Sequence, residues 1–342
     1  MKKLIALLMT AAMIITVAAG CSAKTENTQV KAETNASSEA AKTENSESKK
    51  LRVGIVQAVN HPSLDEIREY TIKSLEESSL KDNIEIIYKD AQGDASNVNT
   101  IISQFVGDEV DMIIPIATGA AQSAAAATQD IPIVFAAVSY PVKAGLVEDM
   151  NVTDKNITGV SNAIAIEEIF KLSQKITPDV KTYGFIYNTS EVNSVASTDR
   201  AKSYCDENGL KYLEATITNS SELLQAVQSL VGKVDAIFVP NDNTVASAMP
   251  VLSAEAIKAG IPVYAGADSL IKDGGFATVG IDYQVLGKQV GEMAARILEG
   301  QSIKDNPVEV INQYSNIINM TTAKALKLEL DEQTIKDFKI IE

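Results

Sequence analysis

The segment Asp111–Ser123, DMIIPIATGAAQS, joins a short apolar run to an alanine-rich run through a single Thr-Gly turn. The first run, Met112–Ile116, is continuous and rich in β-branched residues, which is typical of a strand buried on both faces of a parallel sheet. The second run is a good helix former. The segment therefore predicts a strand–turn–helix unit of an α/β protein.

The turn itself, Thr118–Gly119, has two interpretations. Thr118 can cap the helix through its hydroxyl, and Gly119 lets the backbone come close to a group above it. The free N–H groups at the positive end of the helix dipole can also hold a carboxylate or a phosphate. One βα turn does not decide between a cap and a binding site.

From Leu51 onward, predicted strands alternate with predicted helices. The first helix is opened by Pro62 and carries a Ser63-x-x-Glu66 capping box. The alternation stops near Ser161 and starts again, so two doubly wound α/β halves with parallel sheets are expected. One further helix, Tyr283–Leu298, has no neighbouring partner strand, which fits a chain that crosses back between the halves.

The first 50 residues differ from the rest. Residues 1–20 have two lysines, an apolar run and small residues before Cys21, the pattern of a secretory signal. A cysteine after Ala-Ala-Gly resembles a bacterial lipobox, so Cys21 is predicted to be lipidated. Residues 21–50 are too polar to fold and are predicted to be a tether. Cys205, on a predicted helix, is then a packed free thiol.

Composition excludes several classes of function. The net charge of −15 and the lack of a basic stripe argue against a nucleic-acid partner. His61 is the only histidine in the sequence, so a His-based zinc cluster is excluded. Motifs for nucleotide phosphates, zinc proteases and serine hydrolases do not occur. We therefore predict no metal, no cofactor and no enzymatic activity, and favour binding.

Polar residues follow the strand ends in both halves. These residues would line a cleft between the two sheets. Such a cleft suits a zwitterion, with its carboxylate at the Thr118–Gly119 turn and its ammonium at Asp242 or Asp268. The absence of arginine from these loops disfavours a heavily phosphorylated ligand. The predicted ligand-binding residues are Gln57, His61, Thr118, Gly119, Ala120, Gln122, Ser139, Tyr140, Asn188, Asn241, Asp242 and Asp268.

Several of these residues also have a purely structural interpretation. Asp242 can cap the helix that begins near Thr244, and Asp268 can cap the turn toward Lys272. His61 before a proline can be a solvated loop residue. Tyr140 can stack on an aromatic ligand or simply pack.

Motifs along the chain resemble the solute-binding lipoproteins of amino-acid ABC transporters, and more narrowly the tryptophan/tyrosine type. The likeness runs from about Leu51 to the end of the chain. It is carried, in order, by VGIVQ…NHPSLDE, AQGD, DMIIPIATGAAQ, DIPIVFAAV, AGLV, NITGVSN, VPNDNTVASA and FATVGIDYQVLGKQ.

The resemblance implies a type I periplasmic-binding-protein fold, with two doubly wound lobes, hinge crossovers and a ligand cleft. It places residues 51–161 and 284–310 in an N-terminal lobe and residues 162–283 and 311–342 in a C-terminal lobe. It also implies an aromatic amino acid, tyrosine or tryptophan, whose backbone end lies at Thr118, Gly119 and Gln122. The family often has an aspartate where this chain has Tyr140, which puts the ligand in question but not the fold.

The implied protein is an extracytoplasmic receptor, lipid-anchored at the surface of a Gram-positive bacterium. Its partners are a small-molecule ligand and the permease and ATPase of an importer. Three other functions stay open: a sugar or nucleoside receptor on the same fold, an adhesin that contacts host cells, and an enzyme on an α/β scaffold.

Overall fold

The computed structural model describes residues 50–153 and 155–342. The predicted signal peptide, the lipidated Cys21 and the tether up to residue 49 lie outside the described residues. The strands are β1 Leu51–Gln57, β2 Ile84–Asp90, β3 Met112–Ile116, β4 Ile133–Ala136, β5 Ile157–Ser161, β6 Thr182–Asn188, β7 Lys211–Ile217, β8 Ala236–Val239, β9 Val263–Ala265, β10 Ala277–Ile281, β11 Glu309–Val310, β12 Tyr314–Asn319 and β13 Lys339–Ile341.

The α-helices pack on the faces of the sheets that these strands form. Two short 3₁₀ turns, Ser220–Glu222 and Ile303–Asp305, lie in the connections between elements. They are α1 Pro62–Glu76, α2 Ala95–Gly107, α3 Thr118–Ala127, α4 Ile166–Ile176, α5 Val192–Glu207, α6 Leu223–Leu230, α7 Asn243–Ala246, α8 Met249–Lys258, α9 Asp268–Lys272, α10 Tyr283–Leu298, α11 Met320–Ala325 and α12 Glu332–Ile335.

The strands form two separate sheets. The first has the order β11-β5-β4-β3-β1-β2, and all its pairings are parallel. The second has the order β13-β12-β10-β9-β8-β6-β7, in which only the β10–β12 pairing is antiparallel among the described strands. Central strands such as β3 and β8 are buried along their whole length. This two-sheet α/β architecture confirms the predicted fold class.

The chain passes between the two sheets three times. It leaves the first sheet after β5, returns after β10, and leaves again between β11 and β12. Helix α10 follows a strand of the second sheet but packs against α1 of the first. The helix that has no partner strand in the sequence is therefore explained by the second crossing.

Local structure differs from the sequence prediction at two helix starts. The capping box of α1 does not form, because the N-cap residue is His61 and its side chain makes no capping bond. The hydroxyl of Ser63 instead forms a hydrogen bond with that of Ser269, in helix α9 of the second lobe. Thr118 does not cap α3 either, since it is already the first helical residue, after Ala117. Both hydroxyls are thereby left for contacts outside their own helix.

The α1–α10 interface is built on glycine. A Cβ atom at Gly287 would lie 2.5 Å from the carbonyl oxygen of Ile67 and 2.9 Å from the Cβ of Tyr70. Across the same contact the hydroxyl of Thr71 donates to the carbonyl of Gly287 over 3.1 Å. The absence of a side chain is therefore what allows the two helix backbones to approach this closely.

Candidate functional site

Both sheets reverse their strand order at one point, and these points face each other. In the first sheet the reversal lies between β1 and β3, and in the second between β6 and β8. In open α/β sheets, ligands bind outside the carboxyl ends of strands at such a switch point. One lobe contributes the loop 58–61 and residues 117–119 at the start of α3, and the other lobe contributes the loops 189–191 and 240–242.

A cleft of about 460 Å³ separates these loops, and we call it the main cleft. The first lobe lines it with Gly119, Ala120, Gln122 and the loop 92–95 among others, and the second lobe with Asn188, Glu191, Asn193 and Thr244 among others. Its volume is within the range of about 300–1,000 Å³ that is usual for small-molecule sites. The apolar part of its wall includes Val59, Val98 and Val192.

A second, smaller space lies beside the main cleft, and we call it the deep cavity. It measures about 20 Å³, is lined by residues of both lobes, and shares Asn193 and Asn243 with the main cleft. His61, Asn241 and Asp242 belong to its wall. A space of this size holds one water-sized group.

The N-terminus of α3 presents free donors to the main cleft. The first helical bond runs from Ala121 N to Ala117 O over 3.1 Å, so the N–H groups of residues 118–120 have no helical acceptor. Among the described residues, the hydroxyl oxygen of Thr118 is also buried without a hydrogen-bond partner. This helix start can bind a carboxylate through its N–H groups and dipole.

Backbone strain marks the same edge of the first sheet. Ala117 (φ 83°) and Ala137 (φ 57°) have positive φ angles that alanine rarely adopts. Ala117 lines the main cleft and Ala137 lines the deep cavity. Strain of this kind, about 1–3 kcal/mol for each residue, is typical of functional sites.

The two carboxylates on the second lobe have different surroundings. Asp242 is 0% exposed and accepts from the backbone N–H groups of Asn188 (2.6 Å) and Val245 (2.8 Å), so it caps α7. Burial, and then the charge of Glu191, raise the pKa of Asp242. Glu191 lines the main cleft and is bound by donors of Asn243 and Thr244. The sequence prediction missed Glu191, although the residue closes the loop at the switch point of the second sheet.

The other predicted residues lie around the cleft rather than in its wall. Gln57 is buried and binds Val59 O and Asp65 Oδ1, both over 2.9 Å, which stiffens the loop after β1. Asp268 forms an ion pair with Lys272 over 3.1 Å. Of the twelve predicted residues, four line the main cleft (Gly119, Ala120, Gln122, Asn188), three line the deep cavity (His61, Asn241, Asp242) and five line neither (Gln57, Thr118, Ser139, Tyr140, Asp268).

Comparison with known proteins identifies the family. The sequence profile described as ABC transporter substrate binding protein matches residues 52–339. The chain belongs to the family of ABC transporter substrate-binding proteins. Proteins of this family act outside the cytoplasm, and their role is to bind a substrate for the transporter. No helix in the described ranges is long and apolar enough to cross a membrane.

Two relatives of this substrate-binding protein bear on its site. A protein named tyrosine-binding protein from Clostridioides difficile is 40% identical over 341 residues, covering 99% of this chain and 96% of the relative. The crystal structure of an ABC domain in complex with L-Trp from Streptococcus pneumoniae is 34% identical. It superposes with a TM-score of 0.83 over 86% of this chain and 100% of that chain.

A third relative is a ligand-free structure. The ligand-free, open structure of a substrate-binding protein with adhesive properties from Clostridium difficile is 40% identical. It covers 85% of this chain and 99% of that chain, but its TM-score is only 0.66. The open structure therefore superposes less well than the L-Trp complex, although its sequence is more similar to this chain.

Direct hydrogen bonds between the lobes agree with a closed arrangement. Asn241 Nδ2 donates to Ser139 Oγ over 2.6 Å, and the hydroxyls of Ser197 and Tyr140 lie 3.4 Å apart. His61 Nε2 lies 3.2 Å from Asn243 Oδ1. In this structure Ser139 and Tyr140, which the sequence predicts as ligand contacts, form hydrogen bonds with residues of the opposite lobe.

The burial of His61 predicts a pH effect on stability. His61 is 6% exposed, and burial lowers its pKa below the ordinary value of 6.5, against the smaller opposing effects of Asn243, Glu191 and Asp65. Above pH 6.5 the side chain is neutral in both folded and unfolded chains. As the pH falls below 6.5 the unfolded chain takes up a proton that the folded protein does not, so stability is lost.

Urea unfolding at pH 7.5, 6.5, 5.5 and 5.0 of the parent and of His61→Gln measures this effect. The unfolding free energy of the parent minus that of His61→Gln should fall as the pH falls below 6.5, by up to about 1.4 kcal/mol per pH unit. Asp242 contributes with the opposite sign in both proteins, since its pKa is raised. Parallel pH profiles would contradict a buried neutral His61.

Proposed function

We propose that this protein is a lipid-anchored receptor that closes its lobes on an aromatic amino acid, tyrosine in preference to tryptophan, and delivers it to an ABC permease. The observation that carries the proposal is the main cleft between the two switch points. It has a helix N-terminus with free N–H groups on one lobe, and the other lobe, which carries the carboxylate of Glu191, is acidic. A small zwitterion then has its carboxylate at the helix start and its ammonium on the acidic side of the cleft.

The apolar part of the cleft fits the side chain of the ligand. Val59 and Val98 on the first lobe and Val192 on the second give apolar surface on both sides of the space. The polar residues Thr218, Asn219 and Ser220 lie at its edge on the second lobe and offer partners for a phenol hydroxyl. The relatives named for tyrosine and crystallised with L-Trp support this ligand class.

Membrane attachment through Cys21 is part of the proposal. The sequence before Cys21 has the form of a lipoprotein signal, and the polar segment that follows gives the folded body reach from the membrane. Metabolic labelling with a fatty-acid analogue should tag the parent and not the Cys21→Ser variant.

Calorimetric titration of residues 22–342 tests the ligand class. We expect binding of L-tyrosine and L-tryptophan with a negative heat-capacity change, because apolar surface is buried. Scattering profiles should become more compact when ligand is added, as lobe closure requires. Binding of ribose or a nucleoside but of no amino acid would favour the sugar-receptor alternative, and binding of neither class would contradict the proposal.

Adhesion is a second candidate function, since the open relative is described as having adhesive properties. Attachment of coated beads to host cells, compared with beads that carry a protein of equal size and charge, tests it. Attachment that does not change with L-tyrosine would show that adhesion is independent of the cleft.

A further inference from the structure

A chain of hydrogen bonds runs from Glu191, on the second lobe, to the deep cavity. Glu191 Oε2 accepts from the side-chain nitrogen of Asn243 over 2.6 Å and from its backbone nitrogen over 3.0 Å. A carboxylate accepts hydrogen bonds, so the NH₂ group of Asn243 must face Glu191. The carbonyl oxygen of the same amide, Oδ1, therefore points the other way.

This orientation fixes the tautomer of His61. Asn243 Oδ1 lies 3.2 Å from His61 Nε2, and because a carbonyl oxygen only accepts, Nε2 must carry the hydrogen. Burial lowers the pKa of His61, so the ring is neutral and its other nitrogen, Nδ1, is an acceptor. Within the described ranges, Nδ1 is buried and has no hydrogen-bond partner.

The side-chain oxygen of Asn241 is a second buried acceptor of this kind. Its side-chain nitrogen donates to Ser139 Oγ over 2.6 Å, and Ser139 passes its own hydrogen to Asn162 Oδ1 over 2.8 Å. The remaining oxygen, Asn241 Oδ1, is an acceptor, again buried and without a partner among the residues described. His61 and Asn241 both line the deep cavity, and Asp242 lies in the same wall.

We propose that the deep cavity is a subsite for a hydrogen-bond donor, the ammonium group of the amino-acid ligand, and that Glu191 is the positioning residue that makes His61 Nδ1 an acceptor there. This rests on the proposed function. Two unpartnered acceptors and a nearby carboxyl match a group that carries hydrogens and positive charge. The deep cavity adjoins the main cleft at Asn193 and Asn243, so one end of a ligand in the cleft is next to it.

The tautomer is measured without any ligand. His61 is the only histidine of the chain, so ¹⁵N-histidine labelling gives a single ring spectrum for residues 22–342. The parent should show hydrogen on Nε2. In Glu191→Gln the new amide can donate as well as accept, so Asn243 is free to turn over and both tautomers should appear. Hydrogen on Nδ1 in the parent, or an unchanged spectrum in the variant, would overturn the proposal.

Ligand pairs then test the ammonium subsite. The parent and Glu191→Gln are titrated with L-tyrosine and with 3-(4-hydroxyphenyl)propionate, which lacks only the ammonium group. The variant should lose about tenfold or more in affinity for L-tyrosine and less than about twofold for the propionate. Glu207→Gln, which makes the same chemical change at the exposed end of α5 and outside both cavities, should leave the ratio of the two affinities unchanged.

The outcomes separate the two levels of the proposal. Equal losses for both compounds would mean that Glu191 only holds residues 243–244 in place, and the subsite would be wrong. Binding of neither compound by the parent would overturn the proposed ligand class, whereas the tautomer measurement would still report on the Glu191–Asn243–His61 chain. A water bound by the two acceptors in the L-tyrosine complex would also overturn the ammonium assignment.

Discussion

The Gly119→Leu variant is expected to bind L-tyrosine at least about 100-fold more weakly than the parent, and to unfold at an equal or slightly higher temperature. Gly119 is exposed to the main cleft, and a Cβ atom there meets nothing within 4 Å. A leucine therefore fits sterically but occupies ligand space and blocks the N–H groups at the start of α3. A hundredfold loss corresponds to about 2.7 kcal/mol. Stability should not fall, because leucine is about 1 kcal/mol better than glycine in a helix.

Gly107→Leu is the matched control for this variant. Gly107 is the last residue of α2 and is exposed, and a Cβ atom added there likewise meets nothing within 4 Å. It does not line the main cleft. Calorimetric titration should therefore find parent-like affinity in Gly107→Leu. Comparable weakening in both variants would show that the effect does not come from the cleft.

The Gly287→Ala variant is expected to lose about 1–2 kcal/mol of unfolding free energy, although alanine is the better helix former. The added carbon would lie 2.5 Å from a backbone carbonyl oxygen of α1, and neither backbone can yield without moving a whole helix. Overpacking of this kind typically costs about 1–3 kcal/mol. It outweighs the gain of about 1 kcal/mol in helix propensity. Urea unfolding followed by circular dichroism measures the difference.

Gly107→Ala again serves as the control, because it makes the same chemical change at an exposed helical glycine with free space around it. It should be neutral or stabilising. If Gly287→Ala were equally neutral, the close approach of α1 and α10 would not be a constraint on the first lobe.

The proposed mechanism requires that the closed arrangement of the lobes is more stable than the open one only when ligand is bound. Polar contacts such as Asn241–Ser139 and His61–Asn243 join the lobes directly. A ligand that touches both lobes at once adds free energy to the closed state alone, and this is what shifts the population toward closure.

Other packing in the second lobe is structural. Cys205 is buried and free, and burial raises its pKa to about 12. This confirms the predicted packed thiol. No cluster of three or more histidine, cysteine or acidic side chains suited to a metal occurs in the described ranges.

The sequence determined the elements and their class, because hydrophobic periodicity is a local property. The run Met112–Ile116 predicts a buried parallel strand, and the strand and the helix after it form as expected. The segment 308–319 has the pattern of one extended piece, yet β11 and β12 belong to different sheets. No local pattern distinguishes a strand that ends from one that crosses to another sheet.

The sequence also named polar residues at strand ends, but only the tertiary structure decided what each one does. Asp242 and Asp268 are equivalent in sequence terms, as acids after a strand, yet one caps α7 and the other pairs with Lys272. Glu191 has no local signal. Its role, and that of His61, depend on hydrogen-bond partners about 50 and 180 residues away along the chain. Such partners come together only through the packing of the two lobes, which is a long-range consequence of the fold rather than of any one segment.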